Sequence, residues 1–302
     1  MTAIATEPTA TVPTKVAPDP SPPSRARALL RSPLMVIGMT IITLLVLTAM
    51  FAPLIAPYNP RVVSGPPLQL PSAQHWLGTD IPGRDIFSQL IYGARTSFIV
   101  AVVGSSLALF FGILLGVLPT LLGGKIDTFC NRFVVFMLAL PGLPLLILIS
   151  ALAGPSETAI ILVVSQAGIA PNARILRSQA LSLRDSGFIT AARGFGGGRL
   201  YVLRRHLVPG IGPLLMVRWV EWASVAVGLQ AALAFLGLGD PSTASWGLMI
   251  SRATAQQGIY FSPMWPWWAL PAGFAVALTI LGFVFVGIAL EPVFNPRWLR
   301  SS

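Results

Sequence analysis

Arg218 and Glu221 are the residues whose types and spacing most clearly suggest a chemical role, because they lie three positions apart in an otherwise apolar stretch, 209–238. Residues at this spacing share one face of a helix, so the two can pair with each other or with a ligand. An ionised side chain at bilayer depth costs about 2.5–3.5 kcal/mol on insertion scales, so such residues face protein or a water-filled path. Two interpretations follow. The residues line a translocation pathway, to which we also assign Gln230, or they neutralise each other and stabilise helix packing.

A second group is the basic segment 190–210, TAARGFGGGRLYVLRRHLVPG, whose arginines can pair with acidic groups of a partner. Its glycine run can end a short helix that Asp185 and Ser186 are suited to cap. Residues 199–206 have the pattern of a second amphipathic segment, and Pro209 suits the first turn of the helix that follows. The alternative is a basic loop that only sets membrane topology.

Other kinds of chemistry lack the residues they need. No Ser, His and Asp are arranged as a catalytic triad, and no GxxxxGK[ST] phosphate-binding loop is present. His75, His206 and Cys130 are isolated from one another, so the sequence indicates no metal site and no disulfide. The basic residues lie between apolar runs instead of on one soluble domain, which argues against a nucleic-acid partner. We therefore expect no catalytic residue, no metal and no cofactor bound by this chain.

The elements that must position these residues are membrane-spanning helices. The sequence is 54% hydrophobic and only 10% charged, whereas a soluble globular domain has about 25% charged residues. This composition predicts an all-α integral membrane protein. The first apolar run is longer than the apolar part of a secretory signal, which is about 7–15 residues. The six runs that predict transmembrane helices are 33–57, 96–124, 133–156, 159–173, 209–238 and 267–290.

Local patterns refine these runs. The second run contains small residues at strict four-residue spacing, a pattern that lets another helix approach closely in lipid. These helix-packing residues are Gly104, Ala108, Gly112 and Gly116. Pro141 and Pro144 predict a kink or an irregular helix in the third run. The fourth run is short, and Arg174 and Arg177 can extend it by reaching toward the membrane interface.

The charge distribution orients the chain. Most of the 20 lysines and arginines lie in segments that share one side of the membrane with both termini, so the positive-inside rule predicts N-in and C-in. In this topology 1–32, which is rich in Pro, Thr and Ala, is a disordered cytoplasmic tail. Residues 58–94 and 239–266 are extracytoplasmic loops, and 174–208 is a cytoplasmic loop within a permeation core at 95–300.

The segment TAARGFGGGRLYVLRRHLVP resembles the cytoplasmic EAA loop of ABC importer permeases, with Ala191, Ala192, Gly196 and Pro209 in register. Thr190 stands where that loop has its leading glutamate. In the family the loop docks in a groove on the ATPase subunit, so the resemblance assigns ATPase coupling to this segment. The coupling residues it implies are Thr190, Ala191, Ala192, Arg193, Gly194, Gly196, Arg199, Arg204, Arg205 and Pro209.

Three longer segments are similar, in this order, to the second permease subunit of dipeptide, oligopeptide and nickel importers. They are HWLGTDIPGRDIFSQLIYGARTS at 75–97, ALSLRDSGFITAARGFG at 180–196 and LAFLGLGDPSTASWGLMI at 233–250. One residue and one segment depart from the family pattern. Gln230 replaces a common glutamate, and the ending GIALEPVFNPRW lacks the acidic, glycine-rich character of the family.

This resemblance implies a type I ABC importer permease fold with six transmembrane helices, in the plasma (inner) membrane of a bacterium. It implies a non-enzymatic subunit that translocates di- or oligopeptides, with a nickel chelate, glutathione or a haem-like ligand as alternative cargo. The implied partners are a sister permease, two ATPase subunits or one fused ATPase that binds ATP and Mg²⁺, and an extracytoplasmic substrate-binding protein. An ion-coupled secondary transporter is the alternative from another class, although no inverted repeat is evident.

Overall fold

The computed structural model of the 302-residue chain describes residues 32–140 and 142–294, without the side chains at 193, 199, 200 and 292–294. The predicted cytoplasmic tail, apart from Ser32, lies outside the described residues, as do Pro141 and the segment 295–302. Within the described ranges the chain folds into α-helices joined by loops, which confirms the all-α class.

The helices follow the apolar runs of the sequence. In chain order they are α1 Pro33–Met50, α2 Ala52–Ile55, α3 Ile86–Gly116, α4 Leu118–Leu122, α5 Gly124–Ala139, α6 Gly142–Ala153, α7 Glu157–Arg184, α8 Gly187–Gly194, α9 Arg199–Val202, α10 Val208–Phe235, α11 Trp246–Ala255 and α12 Trp265–Phe294. A π-helical turn at Leu203–Leu207 joins α9 to α10, and a 3₁₀ turn at Ile259–Phe261 precedes α12.

Four elements of the described chain are long and apolar enough to cross a membrane: α1, α3 continued by α4, α7, and α12. The helices α5 and α6 meet at 91° and add a fifth crossing if they count as one span. The predicted fifth run forms the 28-residue helix α10, which is not among these because Arg218, Glu221 and Gln230 lower its mean hydropathy. The six-span count and the N-in, C-in orientation stay predictions.

Capping side chains set where two of the long helices begin. Asp85 accepts a hydrogen bond from the backbone N–H of Ser88 at 2.7 Å, and α3 begins directly after Asp85. Ser156 accepts one from the N–H of Ala159 at 3.1 Å and begins α7. Such a cap satisfies one of the free N–H groups of the first helical turn. The last residues of the predicted outer loop 58–94 are therefore helical. The cap at Asp85, and not the start of the apolar run, sets where α3 begins.

Helix α7 is longer than the apolar run that predicts it. It continues beyond the predicted end at residue 173 as far as Arg184, so the first part of the predicted loop 174–208 is helical. Leu176 and Ala180 are fully buried on this extension. Arg177 forms a bidentate ion pair with Asp127 on α5, in which Nη2 and Oδ2 are 2.9 Å apart. Buried apolar contacts and a paired charge stabilise helix here, where hydropathy alone predicts a loop.

The stripe of small residues on α3 faces α7, and these two helices form the most extensive helix pair of the fold. A Cβ added to Gly104 would have its nearest neighbour, a methyl of Val164, at 3.5 Å. A Cβ on Gly112 would lie 3.0 Å from the Cβ of Asn172 on α7, and one on Gly116 would come within 3.0 Å of three backbone atoms of Ala173. The two backbones therefore converge toward Gly116. All four stripe residues, Gly104, Ala108, Gly112 and Gly116, are buried.

Candidate coupling surface and polar helix sites

The segment 185–209 folds as two short helices separated by the glycine run. Gly196 has φ +84°, a conformation that glycine adopts without strain, and the N–H of Gly197 donates to the carbonyl of Ala192 at 2.9 Å. A Cβ on Gly197 would lie 2.6 Å from that carbonyl oxygen, so the position needs glycine. The glycine run therefore ends α8, as its sequence predicts.

The prediction that Asp185 and Ser186 cap α8 through their side chains is wrong. The hydroxyl of Ser186 donates to the carbonyl of Leu183, and Asp185 accepts from Nε of Arg184 at 3.0 Å, so both side chains bond to the end of α7. The first N–H groups of α8 bond to the carbonyl of Ser186 instead, including that of Thr190 at 3.1 Å. Helix α8 thus follows α7 after a tight turn, and α7 determines where it lies.

One side of this segment is anchored in the protein. Ile189, Val202 and Leu207 are fully buried and belong to one apolar cluster with Leu176 of α7 and Leu121 of α4. Burial of apolar surface is the dominant favourable contribution to packing. The cluster therefore attaches α8 and α9 firmly to the ends of α4 and α7.

The other side is exposed and carries most of the residues that the resemblance assigns to ATPase coupling. Ala192 is half-buried, while the side chains of Arg193 and Arg199 fall outside the described atoms. The exposed members are Thr190, Ala191, Gly194, Gly196, Arg204, Arg205 and Pro209.

Three exposed aromatic residues extend this side, and the sequence reasoning missed them. Phe195 is 92% exposed, Tyr201 54% and Phe188 52%. The ring of His206 lies near both Phe188 and Tyr201, with centroids 5.9 and 5.5 Å apart, and helps to position them. Exposed aromatic groups mark interaction surfaces. The presence of aromatic residues in a basic loop was therefore the sequence signal that could have identified these three residues. We refer to Phe188, Thr190, Ala191, Phe195, Tyr201, Arg204 and Arg205 as the coupling surface.

Arg218 and Glu221 form an ion pair on α10. Nε of Arg218 also donates to Oδ1 of Asn172 on α7 at 3.0 Å, and Asn172 donates to the carbonyl of Gly168 at 2.9 Å. Asn172 is fully buried, whereas the side chain of Glu221 is 45% exposed. The network links α10 to α7 and leaves one carboxylate accessible, which fits both the packing and the pathway interpretation.

Gln230 lies in a different part of α10. It is buried, and its Oε1 accepts a hydrogen bond from the hydroxyl of Ser97 on α3 at 3.2 Å. At 1.5 Å per residue, Gln230 is about 18 Å along the helix from Arg218. The structure therefore does not bring Gln230 together with the Arg218–Glu221 pair.

The segment before α3 is held by buried polar contacts. Nδ1 of His75 and Oδ1 of Asp85 are 2.8 Å apart, and Asp80 accepts from the N–H of Arg84 at 2.7 Å and from Nε2 of Gln89 at 3.0 Å. Burial raises the pKa of the Asp80 carboxyl, although these two hydrogen bonds and the charge of Arg84 act to lower it. These contacts hold the HWLGTDIPGRD segment against the start of α3.

Comparison with known proteins identifies relatives over most of the chain. A family described as "Binding-protein-dependent transport system inner membrane component" matches residues 108–300, and one described as "N-terminal TM domain of oligopeptide transport permease C" matches 23–74. The chain is 35% identical over 277 residues to the dipeptide transport system permease protein DppC of Alkalihalophilus pseudofirmus, covering 90% of this chain and 88% of the relative. It is 33% identical over 268 residues to the probable D,D-dipeptide transport system permease protein DdpC of Escherichia coli, covering 88% of each. It is 32% identical over 278 residues to DppC of Bacillus subtilis, covering 91% of this chain and 85% of the relative.

The two family matches agree with the motifs. The first includes the stripe from residue 108 onward, the segment 185–209 and α10, and the second includes α1. The resemblance drawn from the sequence is thereby confirmed. The chain belongs to the family of inner membrane components of binding-protein-dependent transport systems, and it is a multi-pass permease subunit of a bacterial ABC importer.

Proposed function

We propose that this chain is one of the two permease subunits of an ATP-driven importer that carries di- and oligopeptides across the bacterial plasma membrane. Its segment 185–209 transmits movement from the ATPase subunits to the helices around the pathway. The observation that carries the proposal is the coupling surface, which is exposed on one side and anchored on the other by the buried residues Ile189, Val202 and Leu207.

Peptides are the substrate that the relatives support. The names of the three relatives given above specify dipeptides or D,D-dipeptides. These names favour peptides over nickel chelates, glutathione and haem-like ligands. Membership of a binding-protein-dependent transport family also disfavours a self-sufficient ion-coupled secondary transporter, which works without a binding protein.

The composition of the coupling surface suits docking to a folded partner. Aromatic and arginine side chains are enriched at protein interfaces, and Arg204 and Arg205 can pair with acidic side chains of a partner. The small residues Thr190 and Ala191 allow that partner to approach the backbone of α8. Phe195 is the most exposed of the three aromatic side chains of the surface, so we expect it to be the principal apolar contact.

The complete transporter then contains a sister permease, two ATPase subunits or one fused ATPase, and an extracytoplasmic substrate-binding protein. ATP and Mg²⁺ bind to the ATPase subunits, and this chain hydrolyses nothing itself. In the six-span, N-in, C-in arrangement the coupling surface faces the cytoplasm, where the ATPases reside. The segments before α3 and around α11 then face the binding protein.

We assign Arg218, Glu221 and Gln230 to the translocation pathway. Glu221 pairs with Arg218 while 45% of the Glu221 side chain stays exposed, so Glu221 can meet a peptide amino group. The hydrogen bond from Arg218 to Asn172 is kept when it does so. The alternative role is helix packing alone. Arg218→Ala and Glu221→Ala, assayed separately for peptide uptake, distinguish the two roles, since unchanged uptake with normal assembly would refute the pathway assignment.

Purification of the tagged chain in a mild detergent tests the assembly. We expect a second permease and nucleotide-binding subunits to copurify, with ATP hydrolysis that vanadate inhibits. Isolation of the chain alone, under conditions that preserve other membrane complexes, would remove the coupling role from 185–209.

Phe195→Ala tests the coupling surface itself. Truncation of a central aromatic contact typically costs about 2 kcal/mol or more, which corresponds to about 30-fold weaker binding of the ATPase subunits. Phe261→Ala is the matched control, because Phe261 is 97% exposed in the predicted extracytoplasmic loop 239–266. Equal retention of the ATPases by the two variants would contradict the assignment.

A further inference from the structure

A cavity of about 360 Å³ opens between the first turn of α7 and the early part of α3. Its wall includes Tyr92 and Arg95 of α3, Glu157 of α7, and Arg61 from the segment before α3. Ligand cavities in proteins usually measure about 300–1,000 Å³, so this one accommodates a small molecule.

Two side chains of opposite charge border this cavity without forming an ion pair with each other. Neither Arg95 nor Glu157 takes part in an ion pair within the described part of the chain. Arg95 is nevertheless close enough to act on Glu157 electrostatically. Arg61 adds a second positive charge to the wall, and Asp240 adds a second negative charge near Glu157.

Glu157 has an unused hydrogen-bond acceptor. Its Oε1 atom is buried and has no hydrogen-bond partner among the described residues. A buried acceptor that lacks a donor is unfavourable, and buried polar atoms are therefore generally paired. Asp240, in contrast, accepts from the N–H and the hydroxyl of Ser242 at 2.8 and 2.7 Å. Because Glu157 lines the cavity and its carboxylate is not fully paired, it is the acceptor that a cationic group in the cavity would meet.

The cavity narrows sharply on the side of Gln230. A gap of about 10 Å³ shares Thr96, Glu157 and Thr243 with the cavity and reaches Gln230. This volume is about that of a single water position. In this conformation a molecule larger than water therefore does not pass from the cavity to Gln230.

We propose that this cavity binds a small zwitterion, whose carboxylate pairs with Arg95 and whose ammonium group pairs with Glu157. A simple anion would be repelled by Glu157 and Asp240, and a simple cation by Arg95 and Arg61, so a molecule with both charges fits best. The identity of the ligand rests on the proposed function. It is a dipeptide with free termini, which the permease itself holds after the binding protein releases it.

Binding of radiolabelled Ala-Ala to the whole importer in nanodiscs, with the substrate-binding protein omitted, tests this site. N-acetyl-Ala-Ala lacks the ammonium group and Ala-Ala-amide lacks the carboxylate, so competition with each measures the contribution of one end. Because each end forms a charge-assisted hydrogen bond, we expect each blocked peptide to bind about tenfold more weakly.

Two variants assign the ends to side chains. Arg95→Gln should weaken Ala-Ala binding about tenfold and leave Ala-Ala-amide unchanged, whereas Glu157→Gln should weaken Ala-Ala about tenfold and leave N-acetyl-Ala-Ala unchanged. Arg132→Gln, the same change at an exposed arginine of α5, is the matched control and should bind as the wild type does. Equal binding of the three peptides, a uniform loss in both variants, or loss of copurifying subunits in either variant would overturn the proposal.

Uptake separates failure of this site from failure of the importer function. With the binding protein and ATP present, peptide uptake into proteoliposomes combined with no direct Ala-Ala binding would overturn the site and leave the function intact. Absence of both uptake and peptide-stimulated ATP hydrolysis would refute the proposed function, while charge-specific binding of Ala-Ala would still support the site.

Discussion

Gly104 and Gly116 belong to the same stripe on α3, but an alanine at each should have opposite effects on stability. At Gly104 the nearest neighbour of a new Cβ is 3.5 Å away, an ordinary van der Waals distance. At Gly116 a new Cβ would come within 3.0 Å of three backbone atoms of Ala173. Backbone atoms of a packed helix cannot rotate aside as a flexible side chain can, so α3 and α7 would have to separate.

Two contributions set the size of these effects. Replacing glycine with alanine in a helix interior stabilises the helix by about 1 kcal/mol. Overpacking a close contact costs about 1–3 kcal/mol, and contact with backbone puts Gly116 near the upper value. We therefore expect Gly116→Ala to lose about 2 kcal/mol and Gly104→Ala to gain up to about 1 kcal/mol. For a chain of 302 residues the loss corresponds to a Tm that is roughly 3 °C lower.

Thermal unfolding of the wild type and the two variants in one detergent measures this difference. The folded fraction left after heating can be followed by size-exclusion chromatography, and the wild type should unfold between the variants. If Gly116→Ala unfolds at the same temperature as Gly104→Ala or above it, the close backbone approach does not limit packing and the reasoning fails.

Three further predictions concern the coupling loop, the contact between α5 and α7, and the segment before α3. Gly197→Ala, whose Cβ would meet a carbonyl oxygen at 2.6 Å, should lower peptide uptake several-fold, whereas Gly198→Ala, with open space around its Cβ, should leave uptake unchanged. Asp127→Arg or Arg177→Asp alone should lower the free energy of unfolding by about 1.5–3 kcal/mol, and the double exchange should restore most of it in thermal unfolding. The pKa of Asp80 is raised in the folded protein, so its contribution to stability is present below the ordinary value of 3.8 and is lost as the pH rises through the raised value. Asp80→Asn should remove this loss from melting curves recorded from about pH 4 upward.

Each of these expectations has an outcome that contradicts it. Equal uptake by the two glycine variants would mean that the loop tolerates a side chain at the end of α8. A double exchange that is no more stable than either single variant would mean that the ion pair does not account for the extension of α7. Melting curves with the same pH dependence in wild type and Asp80→Asn would exclude that carboxyl as the titrating group.

Hydropathy predicts the helices of this protein better than it predicts their ends. The apolar runs fall mainly within helices, because a helix satisfies its own backbone hydrogen bonds in an apolar environment. The ends differ where polar side chains set them, as Arg177 does through its ion pair with Asp127 and Asp85 does as the cap of α3. Arg177 and its partner are 50 positions apart, so no local pattern reports the pair.

The coupling surface is predicted only in part for a related reason. The glycine run has a local conformational meaning, so its spacing alone predicts the end of α8. The exposure of Phe188, Phe195 and Tyr201 depends instead on which side of the loop packs against α4 and α7. The cavity wall combines Arg95 and Glu157 from helices that are distant in sequence, and no motif joins them.

One helix pair connects the two proposed sites. Arg95 on α3 and Glu157 on α7 border the cavity, while at the other end Leu176 of α7 packs in the same apolar cluster as Ile189 of the coupling loop. Between these ends, at Gly116, the two backbones are in close contact and no deformable layer of side chains separates them there. We therefore expect the pair to move as one body when the coupling surface is displaced. If so, Gly116→Ala should lower the number of peptides imported per ATP hydrolysed, even at temperatures where the variant stays folded. An unchanged ratio in proteoliposomes would mean that another helix contact transmits the movement.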